Sequence, residues 1–244
     1  MSNTLFISDL HLSRARGDIT ALFVEFLRTR AASADALYIL GDLFDVWLGD
    51  DVSLRDHRRA LCALRHLTDS GVPVFYLHGN RDFTVGGLFA LHTGVQIIED
   101  PTVISVDDKR VAVSHGDALC TDDVSYQRFR KIIRQPWLLK SLLALPAASR
   151  RWIGDAIRNA SNKSQNNTPM AIMDVTQHAV EALMLKSDVT TLIHGHTHRP
   201  NQHYFKLGEV AAERHVLGDW YTQGSVLRCD NGEWHLESMP FVGT

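Results

Sequence analysis

Five times along this chain a short apolar run ends in a small polar cluster. The clusters are Asp9-Leu10-His11, Gly41-Asp42, Gly79-Asn80-Arg81-Asp82, His115-Gly116-Asp117 and Gly195-His196-Thr197-His198. Each run is strand-like in length and β-branched or aromatic in flavour. Polar groups repeated at strand ends through most of a chain can converge at one edge of one sheet. The intervening segments have helical spacing, as in Leu22, Phe23, Phe26 and Leu27, and again in Leu61, Leu64 and Leu67. Strand alternating with helix predicts an α/β fold with a sheet covered on its faces.

The expected strands are Thr4–Ile7, Leu37–Leu40, Val74–Leu77, Gln96–Glu99, Thr102–Val106, Arg110–Ser114 and Val189–Ile193, followed by Glu213–Leu217, Ser225–Cys229 and Trp234–Glu237. Asp107-Asp108 marks a hairpin turn and Asn231-Gly232 another. Helices are expected over Ile19–Ala31, His57–Thr68 and about 170–186. Between them, residues 121–169 read as an insertion. It has helical stretches around Phe129–Ile133, Trp137–Leu145 and Arg150–Ile157, then a polar loop from Asn159 to Pro169.

The chain has 244 residues, 45% of them apolar, enough for one domain of 1–244 carrying that insertion. Cys62, Cys120 and Cys229 are scattered and odd in number, so no disulfide framework or thiolate metal knuckle is expected, and a reducing cytoplasm fits. A strand pattern within five residues of Met1 predicts no signal peptide, and no run of 18 uncharged apolar residues exists. The formal charge is −3, yet 121–169 holds nine Lys or Arg against three acids, a local +6 that leaves −9 on the remainder. That segment reads as an anion-attracting surface.

The clusters offer a metal-binding set. Asp9 and His11 are two apart, and in extended backbone i and i+2 face the same way. Asp42 has two oxygens and can bridge two cations about 3.5–4 Å apart, its charge offsetting their repulsion. Asn80 offers a neutral oxygen; His115, His196 and His198 offer imidazoles. Oxygen and nitrogen without thiolate suits Mn²⁺, Fe²⁺, Co²⁺ or Zn²⁺ better than Ca²⁺. A lone Asp after a strand is usually a cap or turn residue, and a lone buried His is usually hydrogen-bonded. Seven such positions in five equivalent places are another matter. The chemistry expected of such a set is hydrolysis at a two-metal centre, with Arg81, always charged and fork-shaped, available to an anionic group and Asp82 or Asp117 placed to orient a ligand histidine.

These motifs, in this order, resemble the calcineurin-like metallophosphoesterase superfamily over nearly the whole chain. Leu40-Gly41-Asp42-Leu43-Phe44-Asp45-Val46-Trp47, His78-Gly79-Asn80-Arg81-Asp82-Phe83, Ile172-Met173-Asp174-Val175 and Leu217-Gly218-Asp219-Trp220 are most similar to its lipid A branch. The resemblance implies a β-sandwich flanked by helices, two Mn²⁺ ions per chain, and a helical cap over the metals at 121–169. It implies one metal held by Asp9, His11, Asp42 and His198 and another by Asp42, Asn80, His115 and His196. Arg81, Asp42 and His196 are then the residues that carry the reaction. Substrate contacts are implied at Asn80, Arg81, Asp123, Ser161, Gln165, Thr168 and His196. Gln165 and Thr168 depart from the branch pattern of Asn and Lys, with Lys163, Asn166 and Asn167 close by.

The implied reaction is attack on the α-phosphate of a UDP-linked diacylated glucosamine, giving UMP and a diacylglucosamine 1-phosphate. Phosphates against a basic face and acyl chains along Trp137, Leu138, Leu142 and Leu143 would suit such an amphiphile. A broader nucleotide pyrophosphatase or phosphodiesterase, and a non-catalytic metal-binding adaptor, are the alternatives. Nucleic acid and an obligate protein partner are not expected. The expected location is the cytoplasm, peripherally on an anionic inner-membrane surface, with Arg128, Arg130, Lys131, Arg134 and Lys140 near head groups.

Overall fold

Eleven strands and eight α-helices are placed in the computed structural model, which describes residues 3–167 and 174–241, with side chains except over 159–167. β1 (Asn3–Ile7), β2 (Ala36–Leu40), β3 (Val74–Leu77) and β4 (Gln96–Ile97) run parallel. They join the antiparallel pair β10 (Gln223–Asp230) and β11 (Glu233–Pro240) in a six-stranded sheet of order β11-β10-β1-β2-β3-β4. A second, five-stranded sheet has the order β5-β6-β7-β9-β8, from β5 (Thr102–Val106), β6 (Lys109–Ser114), β7 (Thr191–His194), β8 (Asn201–Leu207) and β9 (Val210–Val216). Within it β6, β7 and β9 are mutually parallel.

The uninterrupted apolar character of β1 and β2 follows from burial on both faces. Phe6, Tyr38, Leu40 and Leu77 point into the layer between the sheets, against Val111, Val113 and Ile193. Phe6 and Tyr38 stack there with centroids 5.1 Å apart. The alternate residues Leu5, Ile7, Leu37 and Ile39 meet α1 (Gly17–Thr29) and α3 (Arg58–Asp69) on the outer side. Behind the second sheet, Ala112 and Leu192 pack on Val180 and Met184 of α8 (Gln177–Ser187). Truncating a core aromatic such as Phe6 to alanine is expected to cost about 3–5 kcal/mol. This is an α/β sandwich flanked by helices, and the parallel strands β1, β2, β3, β6 and β7 all send their carboxyl ends to one edge, as ligand-binding α/β sheets do.

Several details differ from the sequence expectation. α2 (Asp50–Asp56), α4 (Gly87–Thr93) and β8 had no sequence signal; the two helices are only seven residues each, too short for a helical period to show. Between β6 and α8 lie α5 (Val124–Ile133), α6 (Pro136–Leu143) and α7 (Ala147–Asn167). α7 continues through the stretch expected to be a loop from Asn159. Asn and Ser there disfavour helix only weakly, and no Gly or Pro interrupts before Pro169. The hairpin turn at Asp107-Asp108 is present, both residues having positive φ (48° and 63°). Among the described residues, no helix is long and apolar enough to cross a membrane.

Candidate metal centre

The seven expected ligand positions meet at the shared strand edge. Their local backbone is unusual: Asp9, His11, Asp42, His196 and His198 all have positive φ, between 49° and 69°. Such conformations are costly for residues with a Cβ and concentrate at functional sites. They also correct the reason given for pairing Asp9 with His11. β1 ends at Ile7, so the two side chains converge through left-handed turns rather than by the alternation of an extended strand. The turns are held by backbone bonds between neighbouring loops, from Asp9 N to Gly41 O (3.2 Å) and from His11 N to Asp42 O (3.0 Å). Gly79 is required by closeness, because a Cβ there would strike the Asp42 carboxylate.

Two ligand groups share one oxygen. Asp42 Oδ2 lies 3.9 Å from His11 Nε2 and 3.8 Å from His115 Nε2. On the His11 side, His198 Nε2 sits 3.3 Å from both His11 Nε2 and Asp9 Oδ1. On the His115 side, Asn80 Oδ1 is 2.9 Å from His115 Nε2 and 2.9 Å from His196 Nδ1. His115 Nδ1 donates to Leu40 O at 2.9 Å, which leaves Nε2 as the ring atom facing the Asn80 and Asp42 oxygens. Nitrogen and oxygen atoms converging at this range inside a buried site need a proton or a cation between them.

Burial, together with the charges of Asp82 and Asp9, pushes the Asp42 carboxyl up to about 7, although His115 opposes this. Burial alone would draw His115 down, but Asp42, Asp9 and Asp117 lift it to about 9, so its Nε2 holds a proton that a bound cation would displace. Burial holds His11 and His196 down to about 3, so both imidazoles stay neutral and keep a lone pair, as metal ligation needs. Two groups of His and Asp have ligand atoms close enough to hold an ion, Asp9 with His11 and His198, and Asp9 with Asp42 and His115. The donor set therefore fits a two-cation centre of nitrogen and oxygen ligands with Asp42 between.

Other expected residues take different places. The Arg81 backbone N donates to Asp42 Oδ1 (2.8 Å), and its side chain lines a cavity with Asn80, Trp47, Leu48 and Phe83 from the sheet edge and Leu142, Leu143, Ile153 and Ile157 from α6 and α7. Asp123 caps α5, its Oδ1 accepting from Tyr126 N (2.9 Å) and Ser125 Oγ (2.7 Å), and it does not line that cavity. Ser161, Gln165 and Thr168, with Lys163, Asn166 and Asn167, lie outside the residues whose side chains are described.

Neither Asp82 nor Asp117 orients a ligand histidine. Asp82 accepts from the backbone N–H groups of Asp42 (3.3 Å), Phe44 (3.2 Å) and Gly79 (2.9 Å), tying two ligand loops together. Asp117 instead receives side chains of α5. Burial would raise its carboxyl, but His115, Arg134 and Arg130 hold it below the usual carboxylate range. The residue that faces a ligand histidine is Asp219, 3.4 Å from His198 Nδ1. Tyr221 stacks on His11 at 5.4 Å. The run Leu217-Gly218-Asp219-Trp220 was the one signal for these contacts.

The charge of 121–169 is also redistributed. Arg130 and Arg134 turn inward onto Asp117, Arg150 pairs with Asp51 (2.5 Å), and Arg158 pairs with Asp45 (3.0 Å). Arg130, Arg134 and Arg150 are thus not free to meet head groups, contrary to the expectation for the first two. The positive segment and negative body are largely complementary to each other.

The calcineurin-like phosphoesterase profile matches residues 2–200. The UDP-2,3-diacylglucosamine hydrolase of Aeromonas hydrophila is 47% identical over 240 residues, covering 98% of this chain and 100% of the relative. Those of Vibrio parahaemolyticus and Escherichia coli are 44% and 45% identical, each over 238 residues, and cover 98% of this chain and 98% and 99% of their own. With motifs, sandwich and convergent donor set in agreement with a match of this extent, the chain belongs to the calcineurin-like phosphoesterase family and, within it, to the group of UDP-2,3-diacylglucosamine hydrolases.

Proposed function

We propose that this hydrolase cleaves the pyrophosphate of UDP-2,3-diacylglucosamine at the α-phosphate, giving UMP and 2,3-diacylglucosamine 1-phosphate. The observation that carries the reading is the cavity. Its apolar lining includes Trp47, Leu48, Phe83, Leu142, Leu143, Ile153 and Ile157, and Asn80 and Arg81 of the metal centre line it too. An acyl chain along those walls places its own head group at the donor set. Burying each CH₂ contributes roughly 0.8 kcal/mol, so even partial enclosure of one chain selects for acylated substrate.

Asp9, His11, Asp42 and His198 would hold one cation, and Asp42, Asn80, His115 and His196 the other, Mn²⁺ being the preferred ion. When bound, such ions polarise phosphoryl oxygens and lower the pKa of water. Arg81 binds the phosphoryl group and stabilises charge that grows on it during attack. Water adds at the α-phosphorus, the bond to the bridging oxygen breaks, and that oxygen leaves with the sugar phosphate. A phosphate monoester has a second pKa of about 6, so it departs at neutral pH without a proton from any side chain. The helices α5–α7 act as a cap that excludes bulk water and receives the acyl chains. Asp123 and the residues at Ser161, Gln165 and Thr168 would complete the head-group contacts.

The amphiphilic substrate and exposed Ile132, Trp137 and Trp152 (60%, 65% and 74%) support work at the cytoplasmic face of the inner membrane, held peripherally. The test is turnover of UDP-2,3-diacylglucosamine against UDP-glucose, with Mn²⁺, followed as UMP release. The expected result is a preference for the acylated compound of 10²-fold or more, on the order of three or four buried CH₂ groups. Equal rates would remove the acyl-selecting cap. No turnover of any pyrophosphate or ester, with metal demonstrably bound, would remove the hydrolase assignment.

A further inference from the structure

Asp117 is fully buried two residues after His115, and one of its oxygens collects three donors from α5 and the residue that caps its end. Oδ2 accepts from Tyr126 Oη (2.6 Å) and Arg130 Nε (2.7 Å) on α5 and from a terminal nitrogen of Arg134 (3.2 Å), its C-cap. The same Arg134 nitrogen also donates to Gly79 O at 2.9 Å, the carbonyl immediately before Asn80. The Arg134 guanidinium lies 6.0 Å from the Phe83 ring centroid on the same loop. One side chain therefore spans the two loops that carry Asn80 and His115, and it comes from the segment outside the sandwich. Helix α5 itself buries no residue, so these polar bonds are a large part of what seats it.

We propose that Asp117 and Arg134 are positioning residues that lock the Asn80 and His115 loops at fixed spacing and make that spacing depend on the seating of α5. The helix is then part of the frame of one metal position, and not only a cover over the substrate. Linkage runs both ways: what orders α5 tightens the cation held by Asn80, His115 and His196, and that cation orders α5. A substrate that packs against the helices would in this way strengthen the centre that cleaves it. The inference rests on the proposed ligand set but not on the proposed substrate.

The experiment compares wild type, Arg134→Gln, Arg134→Lys and Asp117→Asn by Mn²⁺ titration and by amide hydrogen exchange with and without Mn²⁺. Loss of such a supporting contact typically weakens metal binding about 10–100-fold. Arg134→Gln is expected to weaken one of the two Mn²⁺ sites by about tenfold or more and to leave the other within about twofold. Wild-type exchange over 124–133 should slow when Mn²⁺ is added, and in Arg134→Gln it should be fast in both conditions. Arg134→Lys, which keeps the charge but not the fork, should fall between. Asp117→Asn could fail to fold, in which case the Arg134 pair alone decides. Helix exchange indifferent to Mn²⁺ in wild type, or both affinities unchanged in Arg134→Gln, overturns the coupling. Since neither readout uses a lipid nucleotide, failure of the substrate assignment leaves this result standing.

Discussion

At the strand ends, Asp9, His11, Asp42 and His115 are buried and fixed by backbone bonds to a core of two packed sheets. In α5 and α6, by contrast, no residue is buried, and the described contacts to the body include ion pairs of Arg130 and Arg134 with Asp117 and, from α7, of Arg150, Arg151 and Arg158 with Asp51, Asp56 and Asp45. The same chain thus uses two means of placing side chains. Apolar burial makes a rigid edge on which strained ligand turns can persist. Charge complementarity seats a helical segment while leaving its apolar faces available for a ligand or for lipid. The first should be indifferent to salt, and the second should loosen as ionic strength rises.

The sharpest way to break this comparison is at the ligand edge. Asp42→Asn removes the shared carboxylate charge and should lower turnover by about 10³-fold or more, since metal catalysis contributes several kcal/mol and each 1.4 kcal/mol is tenfold. Chelation of the wild type should do the same, reversed by Mn²⁺. Far-ultraviolet circular dichroism should be unchanged, because the sandwich core does not include the carboxylate. Retained turnover in a chelated sample would exclude a metal mechanism altogether.

Arg81→Ala comes next. Its backbone bond to Asp42 survives the substitution, so both cations should still bind. The rate should fall by about 10²–10³-fold, the usual cost of losing one donor to a developing oxyanion. Loss of metal binding together with rate would show that the side chain supports the centre instead of the phosphoryl group.

Ile153→Asn then probes the other region. Ile153 lines the cavity from α7 and is remote in sequence from every ligand. KM for the diacylated substrate should rise by roughly tenfold, a loss of one to two buried CH₂ equivalents. UDP-glucose hydrolysis, however slow, should not change. An equal effect on both substrates would indicate a disturbed fold.

The sequence was most readable where chemistry and burial coincide. The apolar runs of β1, β2 and β3 announced strands buried on both faces, and the cluster after each run held donor groups that converge at one edge. What stayed hidden was conformation: nothing in Asp9-Leu10-His11 signals two residues with positive φ, because the surrounding fold imposes that strain. Partners far apart in sequence were hidden too. Arg134 reads as one more basic residue on an amphipathic helix until its contacts with Asp117 and Gly79 are seen. Composition gave the right sign of charge for 121–169 but could not say whether it met substrate, membrane or the chain's own acids. Much of it met the acids.

That last distinction yields the smallest effect and the finest test of the contrast. Lys131 neighbours Arg130 on α5 and is exposed, with no ion pair among the described residues, whereas Arg130 is bound to Asp117 and only 20% exposed. If the helical segment meets an anionic bilayer, Lys131 is the one of the two free to contribute. Lys131→Gln should weaken binding to anionic vesicles at low salt by about 1 kcal/mol, roughly fivefold, and the difference should shrink as salt is added. It should leave turnover of a water-soluble ester and exchange over 124–133 as in wild type. Arg130→Gln should do the reverse: vesicle affinity nearly constant and exchange of the helix faster, because its charge already answers that of Asp117. Should Arg130→Gln cost more vesicle affinity than Lys131→Gln while the helix keeps its protection, the ion pair must open at the membrane. The segment's charge would then serve lipid before it serves the body of the protein.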